Sequence, residues 1–278
     1  MRVKTTTAAV AGLLAASASA QNSTATCATG VHLIVARGSN EPPGSGRIGS
    51  VANGVVAAIS GSQIAPLDYP ATFDNYSSSV AVGTGAMKTA LTQYNSRCPN
   101  SKVVMLGYSQ GAHVAGDALC GNTQDDKSDE LDLDFNVTTP VIASVVDQSV
   151  IAVILFGDPT HNATASWNRG TSTHNGLFPR ENITACKAYA SKIESFCDTG
   201  DIYCDDGNNT GVHGSYFVNY TDDAVEFIVA QFNASKHSAN GTAPTATPTS
   251  VPGSGAAASA PGMLMSLIGL SLLATYLL

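Results

Sequence analysis

Residues 103–119, VVMLGYSQGAHVAGDAL, leave this chain few ways to fold. A short run of β-branched and apolar residues enters a Gly-x-Ser-x-Gly corner and leaves with the apolar spacing of a helix. Gly107 and Gly111 give the backbone room for a sharp turn, and Ser109 is pushed out at the carboxyl edge of whatever sheet the strand joins. A helix starting just after Ser109 aims free backbone N–H groups at any oxygen that approaches the hydroxyl.

The rest of the chain repeats that rhythm. VHLIVAR, SKVVMLGYS and VIAVILFGDP are apolar runs too short for helices, each closed by Gly or Pro, and they read as buried strands; SKIESFC is a further candidate. Between and after them, RIGSVANGVVAAI, SSSVAVGTGAMKTALTQY, QGAHVAGDALC and TDDAVEFIVAQF have helical period, the last opening on a Thr221-Asp222 N-cap. Alternating strands and helices predict an α/β fold, a three-layer sandwich in which helices cover both faces of a mostly parallel sheet. The polar stretch GNTQDDKSDELDLDFN breaks the alternation. It reads as a solvated loop, because its carboxylates lack the fixed spacing and turn glycine of a calcium loop.

A serine hydroxyl is a weak nucleophile unless a histidine takes its proton and an acid orients that histidine. In chains with this corner the order is Ser, then Asp or Glu, then His. His113 lies one turn along the same helix, His161 and His174 fall in a Gly/Asn/Thr-rich loop, and His237 is beyond the last helix period. His213, after the last strand candidate and before the last helix, is the base expected. For the acid, Cys197 and Cys204 can close a small loop around Asp201 in FCDTGDIYCDDG, with Asp198, Asp205 and Asp206 as alternatives. Backbone N–H of Gln110 is one candidate oxyanion donor. Ser39, in the loop after the first strand, is the second candidate or an ordinary turn serine.

The two ends and the composition bear on address. MRVKTTTAAVAGLLAASASA has basic residues, a short apolar run and Ala18-Ser19-Ala20, the form of a signal peptide over residues 1–20. A Thr/Pro/Ser/Ala/Gly-rich stretch over residues 235–255 reads as a flexible stalk open to O-glycosylation, and the apolar tail over 256–278 as a glycosylphosphatidylinositol (GPI) signal. Attachment is expected at Gly253, Ser254 or Gly255; a plain transmembrane anchor is the alternative. Membrane contact would then be through the lipid alone, on a monomer outside the cell. Sequons at Asn22, Asn75, Asn136, Asn162, Asn182, Asn208, Asn219, Asn233 and Asn240 fit that address, as do six scattered cysteines with no Cys-x-x-Cys pair. The formal net charge is −8, and without Arg2 and Lys4 the 11 Lys/Arg against 21 Asp/Glu leave −10. Nucleic acid and anionic surfaces are therefore poor partners. No cofactor is implied, and no histidine pair at helical spacing suggests a metal.

ARGS after the first strand, GYSQG, FGDP, and CDTGDIYC followed by VHGSY resemble the cutinase and acetylxylan esterase family of small secreted serine esterases, over about Val31 to Phe232. The resemblance implies a compact esterase domain over residues 27–234, with a five-stranded, mostly parallel sheet between helices and a shallow site without a large lid. It implies Ser109, Asp201 and His213 as the triad, with Ser39 and Gln110 at the oxyanion. It also implies bridges Cys27–Cys98 and Cys197–Cys204, which leaves Cys120 with Cys186. EPPGSG, GDP and DIYC lean toward acetyl esters on polysaccharide, RGS toward cutin or longer-chain esters. A non-catalytic wall-binding protein on the same fold is the rival of another class.

Overall fold

A computed structural model of the chain describes residues 26–122, 127–128, 133–135 and 137–240. The chain runs β1 (Val31–Ala36), α1 (Gly49–Ala58), β2 (Gln63–Pro66), α2 (Tyr76–Arg97), β3 (Lys102–Tyr108), α3 (Gln110–Cys120), then a two-residue antiparallel pair, β4 (Lys127–Ser128) with β5 (Leu133–Asp134), inside the acidic stretch. It continues through α4 (Ala143–Ser149), β6 (Val150–Phe156), β7 (Asn168–Arg169), α5 (Thr184–Lys187), β8 (Ile193–Phe196), α6 (Thr210–His213), α7 (Tyr216–Asn219) and α8 (Thr221–Asn240).

The main sheet has the order β2-β1-β3-β6-β8-β7, and every pairing in it is parallel. This corrects the expected five strands to six, the extra one being the two-residue edge strand β7. Strands of a fully parallel sheet are buried on both faces, which is why β3 and β6 read as unbroken apolar runs. Successive residues point to opposite sides. Ile34, Met105, Val153 and Leu155 pack with the buried faces of α2, α3 and α4, whereas Leu33, Val35, Leu106, Ile154 and Phe156 pack with those of α1 and α8. Each such side chain contributes about 1.5–3 kcal/mol on burial.

Two helix ends differ from expectation. Thr221 is the first residue of α8, but its hydroxyl donates back to the Phe217 carbonyl (2.8 Å), so it is no N-cap. The helix also continues through Asn240, past the point where the stalk was expected to start. It begins at the carboxyl edge of the sheet, where the Thr221 and Ser50 hydroxyls meet (3.1 Å), and by Gln231 it has reached the opposite edge, donating to the Ser191 carbonyl ahead of β8 (2.8 Å).

Three disulfides tie the domain: Cys27–Cys98, Cys120–Cys186 and Cys197–Cys204, the pairing that the resemblance implies. Of the sequons, Asn75, Asn182, Asn208, Asn219 and Asn233 are exposed, while Asn162 is half-buried with its amide donating to the Arg180 carbonyl (2.9 Å). Asn240 ends α8. The leader, Asn22, Asn136 and the Gly253, Ser254 and Gly255 anchor candidates lie outside the described residues.

Strand order and register place the chemistry. The chain moves from β1 outward to β2 and then returns to the other side of β1 as β3, so the loops after β1 and β3 diverge toward opposite faces and leave a crevice between them. Ala36 is level with Gly107, and Tyr108 with Phe156, which is level with Phe196. Ser39, Ser109, Gly157 and the Cys197–Cys204 loop therefore all emerge at one edge.

Candidate active site

Ser109 sits between β3 and α3 with φ 53° and ψ −120°, a backbone conformation that a side-chain-bearing residue adopts only when its surroundings enforce it. The enforcement is visible. Its N–H continues the sheet ladder to the Phe156 carbonyl (2.8 Å), and its own carbonyl accepts from Ala112 (2.9 Å) and His113 (3.1 Å) in the first turn of α3. The flanking glycines have no room for a side chain: a Cβ on Gly107 would lie 2.3 Å from the Gly111 carbonyl oxygen, and one on Gly111 would lie 2.0 Å from that of Ala36. Gly111→Ala must push α3 away from β1. It is expected to destabilise the domain by about 3 kcal/mol or more, lowering Tm by about 6–12 °C in a thermal melt.

His213 closes α6, a single turn capped by Asn209, whose side-chain oxygen accepts from Gly211 N–H (2.9 Å) and Val212 N–H (3.3 Å). The imidazole is stacked on Tyr108, the residue before Ser109, at 5.1 Å between ring centroids, and meets the edge of Tyr203 at 4.5 Å. Tyr108 also donates its hydroxyl to the His213 carbonyl (3.1 Å); burial pushes that phenol up to about 12, so it remains a donor. Beneath the ring is Gly157, at φ +59°, where a Cβ would come within 2.8 Å of His213 Cε1. These contacts hold the imidazole beside the serine corner.

Four carboxylates were open as the histidine's partner, and the structure brings one of them to it. Asp201 is fully buried, with Oδ2 2.9 Å and Oδ1 3.1 Å from His213 Nδ1. Its Oδ1 also accepts from the N–H groups of Tyr203 (2.7 Å) and Cys204 (3.1 Å), and its Oδ2 from the Tyr216 hydroxyl (2.6 Å). Burial alone would raise this carboxyl, but the donors from His213, Tyr216 and Tyr203 outweigh it and hold the pKa below the usual carboxylate value. Asp198 serves Thr171 and Tyr220, and Asp205 serves Ser172, Gly200 and His174. Asp206 is exposed, at φ 50°.

With Nδ1 engaged, His213 keeps a buried Nε2 that has no hydrogen-bond partner among the described residues. The bond from Ser109 to that nitrogen is therefore not made here; such contacts commonly tighten only around a bound reactant. The Ser39 hydroxyl is likewise buried and unpaired. Its loop is fixed around it by Glu41, which accepts from Gly38 N–H (2.7 Å) and Arg47 N–H (3.0 Å), and by Arg37, which donates to the Glu41 and Tyr69 carbonyls. Gln110 is wholly buried, its amide clamped between the Ser79 hydroxyl (2.8 Å) and the Thr72 carbonyl (2.9 Å), so its backbone N–H at the start of α3 is held in place.

The other histidines are elsewhere. His113 lies between the Tyr76 hydroxyl (3.3 Å) and Asp117 (3.4 Å), and Asp117 is paired with Arg180 (2.8 Å). Burial opposes the charge of Asp117, but His113 and Arg180 draw its pKa down to about 2. His161 is buried against a cavity of about 20 Å³ that it shares with Asp158 and Arg180. Sequence reasoning missed Tyr108, Tyr203 and Tyr216 around His213 and the Ser79–Gln110 clamp. The only local signal for the tyrosines was their place in GYSQG, DIYC and VHGSY.

Known proteins resemble the chain in sequence and fold. The family model described as Cutinase matches residues 27–232. The chain is 35% identical over 205 residues to "Acetylxylan esterase 2" of Talaromyces purpureogenus, covering 71% of this chain and 85% of the relative. It is also 35% identical over 211 residues to "Cutinase 11" of Verticillium dahliae, covering 73% of this chain and 69% of the relative. Among solved structures, the catalytic core domain of acetyl xylan esterase from Trichoderma reesei superposes with a TM-score of 0.65 at 34% identity, over 74% of this chain and all of that one.

Proposed function

The chain belongs to the cutinase family and is a carboxylic ester hydrolase, and from that premise we propose that it works through an acyl-serine intermediate, acting as a monomer on acetyl esters of polysaccharide. The observation that carries the mechanism is a strained Ser109 at a strand-to-helix corner beside an imidazole whose Nδ1 is held by buried Asp201 and whose Nε2 is free. His213 Nε2 takes the Ser109 proton as Oγ attacks the ester carbonyl. The oxyanion is met by the Gln110 N–H and by Ser39, whose unpaired hydroxyl is a donor awaiting an acceptor. As the tetrahedral centre collapses, the protonated imidazole gives its proton to the departing alcohol. A water then repeats the sequence with the acyl-enzyme, releasing the acid and restoring Ser109. Asp201 remains an anion and keeps the Nδ1 proton in place.

For substrate, the resemblance to two acetylxylan esterases at 34–35% identity, one of them superposing over the whole of its catalytic core domain, favours acetyl groups. The equally similar cutinase makes longer acyl chains the second reading. A series of p-nitrophenyl esters separates them. We expect kcat/KM to fall by about tenfold or more from acetyl to hexanoyl; a flat profile would favour the cutinase reading. Secretion, glycan at the exposed sequons but not at Asn162, and lipid tethering complete the proposal. They rest on the leader, the exposure of those asparagines and the composition of the tail.

A further inference from the structure

We propose that Tyr216 is a positioning residue of the hydrolytic site, its hydroxyl bridging Asp198 and Asp201 so that Asp201 cannot rotate away from His213. The inference rests on the acyl-serine reading above and extends it to a residue outside the triad.

The bridge has a fixed direction. Tyr216 is fully buried, and its oxygen lies 2.6 Å from Asp201 Oδ2 and 3.0 Å from the Asp198 amide nitrogen. An amide N–H can only donate, so the phenolic oxygen accepts from Asp198 and its single proton points at the carboxylate. Burial first, and then the charge of Asp201, push the phenol far above its ordinary value, so that proton is present at any working pH.

The bridge is also needed. Oδ1 of Asp201 is pinned by two backbone N–H groups, but among the described residues Tyr216 is the one donor to Oδ2 besides His213. Without it the carboxylate can pivot about its pinned oxygen and swing Oδ2 off Nδ1. Further back, the Asp198 side chain accepts from the Tyr220 hydroxyl (2.7 Å) and from Thr171 N–H and hydroxyl (both 3.1 Å), which steadies the peptide that holds Tyr216. Two supports thus meet at Asp198: its carboxylate is held by Tyr220, just ahead of α8, and its backbone N–H donates to Tyr216, which donates on to Asp201. Packing alone does not require the oxygen, since phenylalanine would fill the same space against Phe156 and Tyr220.

Tyr216→Phe tests it, with kcat/KM for p-nitrophenyl acetate measured against pH beside thermal melts. The groups facing His213 are Asp201, Tyr108, Tyr203 and Tyr216, with Arg47 bound to the neighbouring Gly214 carbonyl (2.7 Å). Of these the substitution alters only Tyr216. A carboxylate that swings off Nδ1 stabilises the protonated imidazole less. We therefore expect the acid limb to move down by about half a pH unit and kcat/KM at neutral pH to fall about tenfold. An unmoved limb with unchanged kcat/KM would leave Tyr216 a packing residue and overturn the proposal. Tyr220→Phe leaves Tyr216 in place and should move the limb the same way by less; if Tyr216→Phe does not fold, this variant decides, and no movement overturns the proposal. Ser109→Ala in the same assay separates the two levels, because turnover persisting there would sink the acyl-serine reading itself.

Discussion

Ser109→Ala is expected to lower kcat for a small acetyl ester by about 10⁴- to 10⁶-fold, leaving only the turnover that binding and oxyanion donors supply. The fold should survive. The strained backbone at position 109 is held by bonds from its own N–H to Phe156 and into its carbonyl from Ala112 and His113, none of which uses the side chain. Alanine carries the same Cβ as serine, so the positive φ costs it no more. Initial rates on p-nitrophenyl acetate together with a circular-dichroism melt check both halves. Wild-type rates in the variant would mean that the nucleophile is elsewhere, and a collapsed melt would mean that the hydroxyl has a structural role. A phosphonate ester that labels the Ser109 peptide in the wild type, and nothing in the variant, would give the same answer by mass.

Asp201→Asn is the second large effect, about 10⁴-fold in kcat, and it arises without loss of shape. Oδ1 of the asparagine can still accept from Tyr203 and Cys204 N–H, so its amide nitrogen comes to face His213 Nδ1. That nitrogen donates, so Nδ1 must accept, and the imidazole proton moves to Nε2, the atom that should receive a proton from Ser109. The substitution also changes how stability depends on pH. Because the folded pKa of Asp201 is depressed, the carboxylate contributes stability that is fully present above its unfolded value of about 3.9 and is lost as pH falls through the lower folded value. The wild type should therefore lose stability across that acid window, and the asparagine variant should be less stable at neutral pH and flatter within the window. Melts from pH 2 to 7 measure it; parallel curves for the two proteins would mean that the charge of Asp201 contributes nothing to folding.

Reading the sequence worked where the signal was local. β3, the corner and α3 follow from one run of residues, because a strand buried on both faces, two sterically required glycines and a helix period all leave marks in the chain itself. β2 was missed for the opposite reason. It is four residues at one flank of the sheet, with a polar start at Gln63 and a closing Pro66, and only its pairing to β1 makes it a strand. β7 is two residues long and is defined only by its bonding to β8. The choice of acid could not be made from FCDTGDIYCDDG alone, since two carboxylates lie inside the disulfide loop and two more follow it directly. Donors from the backbone and from Tyr216 single out Asp201, and those are tertiary contacts. The same holds for Ser79 with Gln110, 31 residues apart, and for Arg180 with Asp117, on elements that meet only in the folded domain.

The course of α8 carries a consequence for access to the catalytic edge. The helix starts next to the catalytic edge and, over 20 residues or about 30 Å, descends to the opposite pole of the domain. The carboxyl end of α8 therefore lies at the pole away from Ser109. A bulky label placed in the last turns of α8 would accordingly leave the mouth of the site unobstructed.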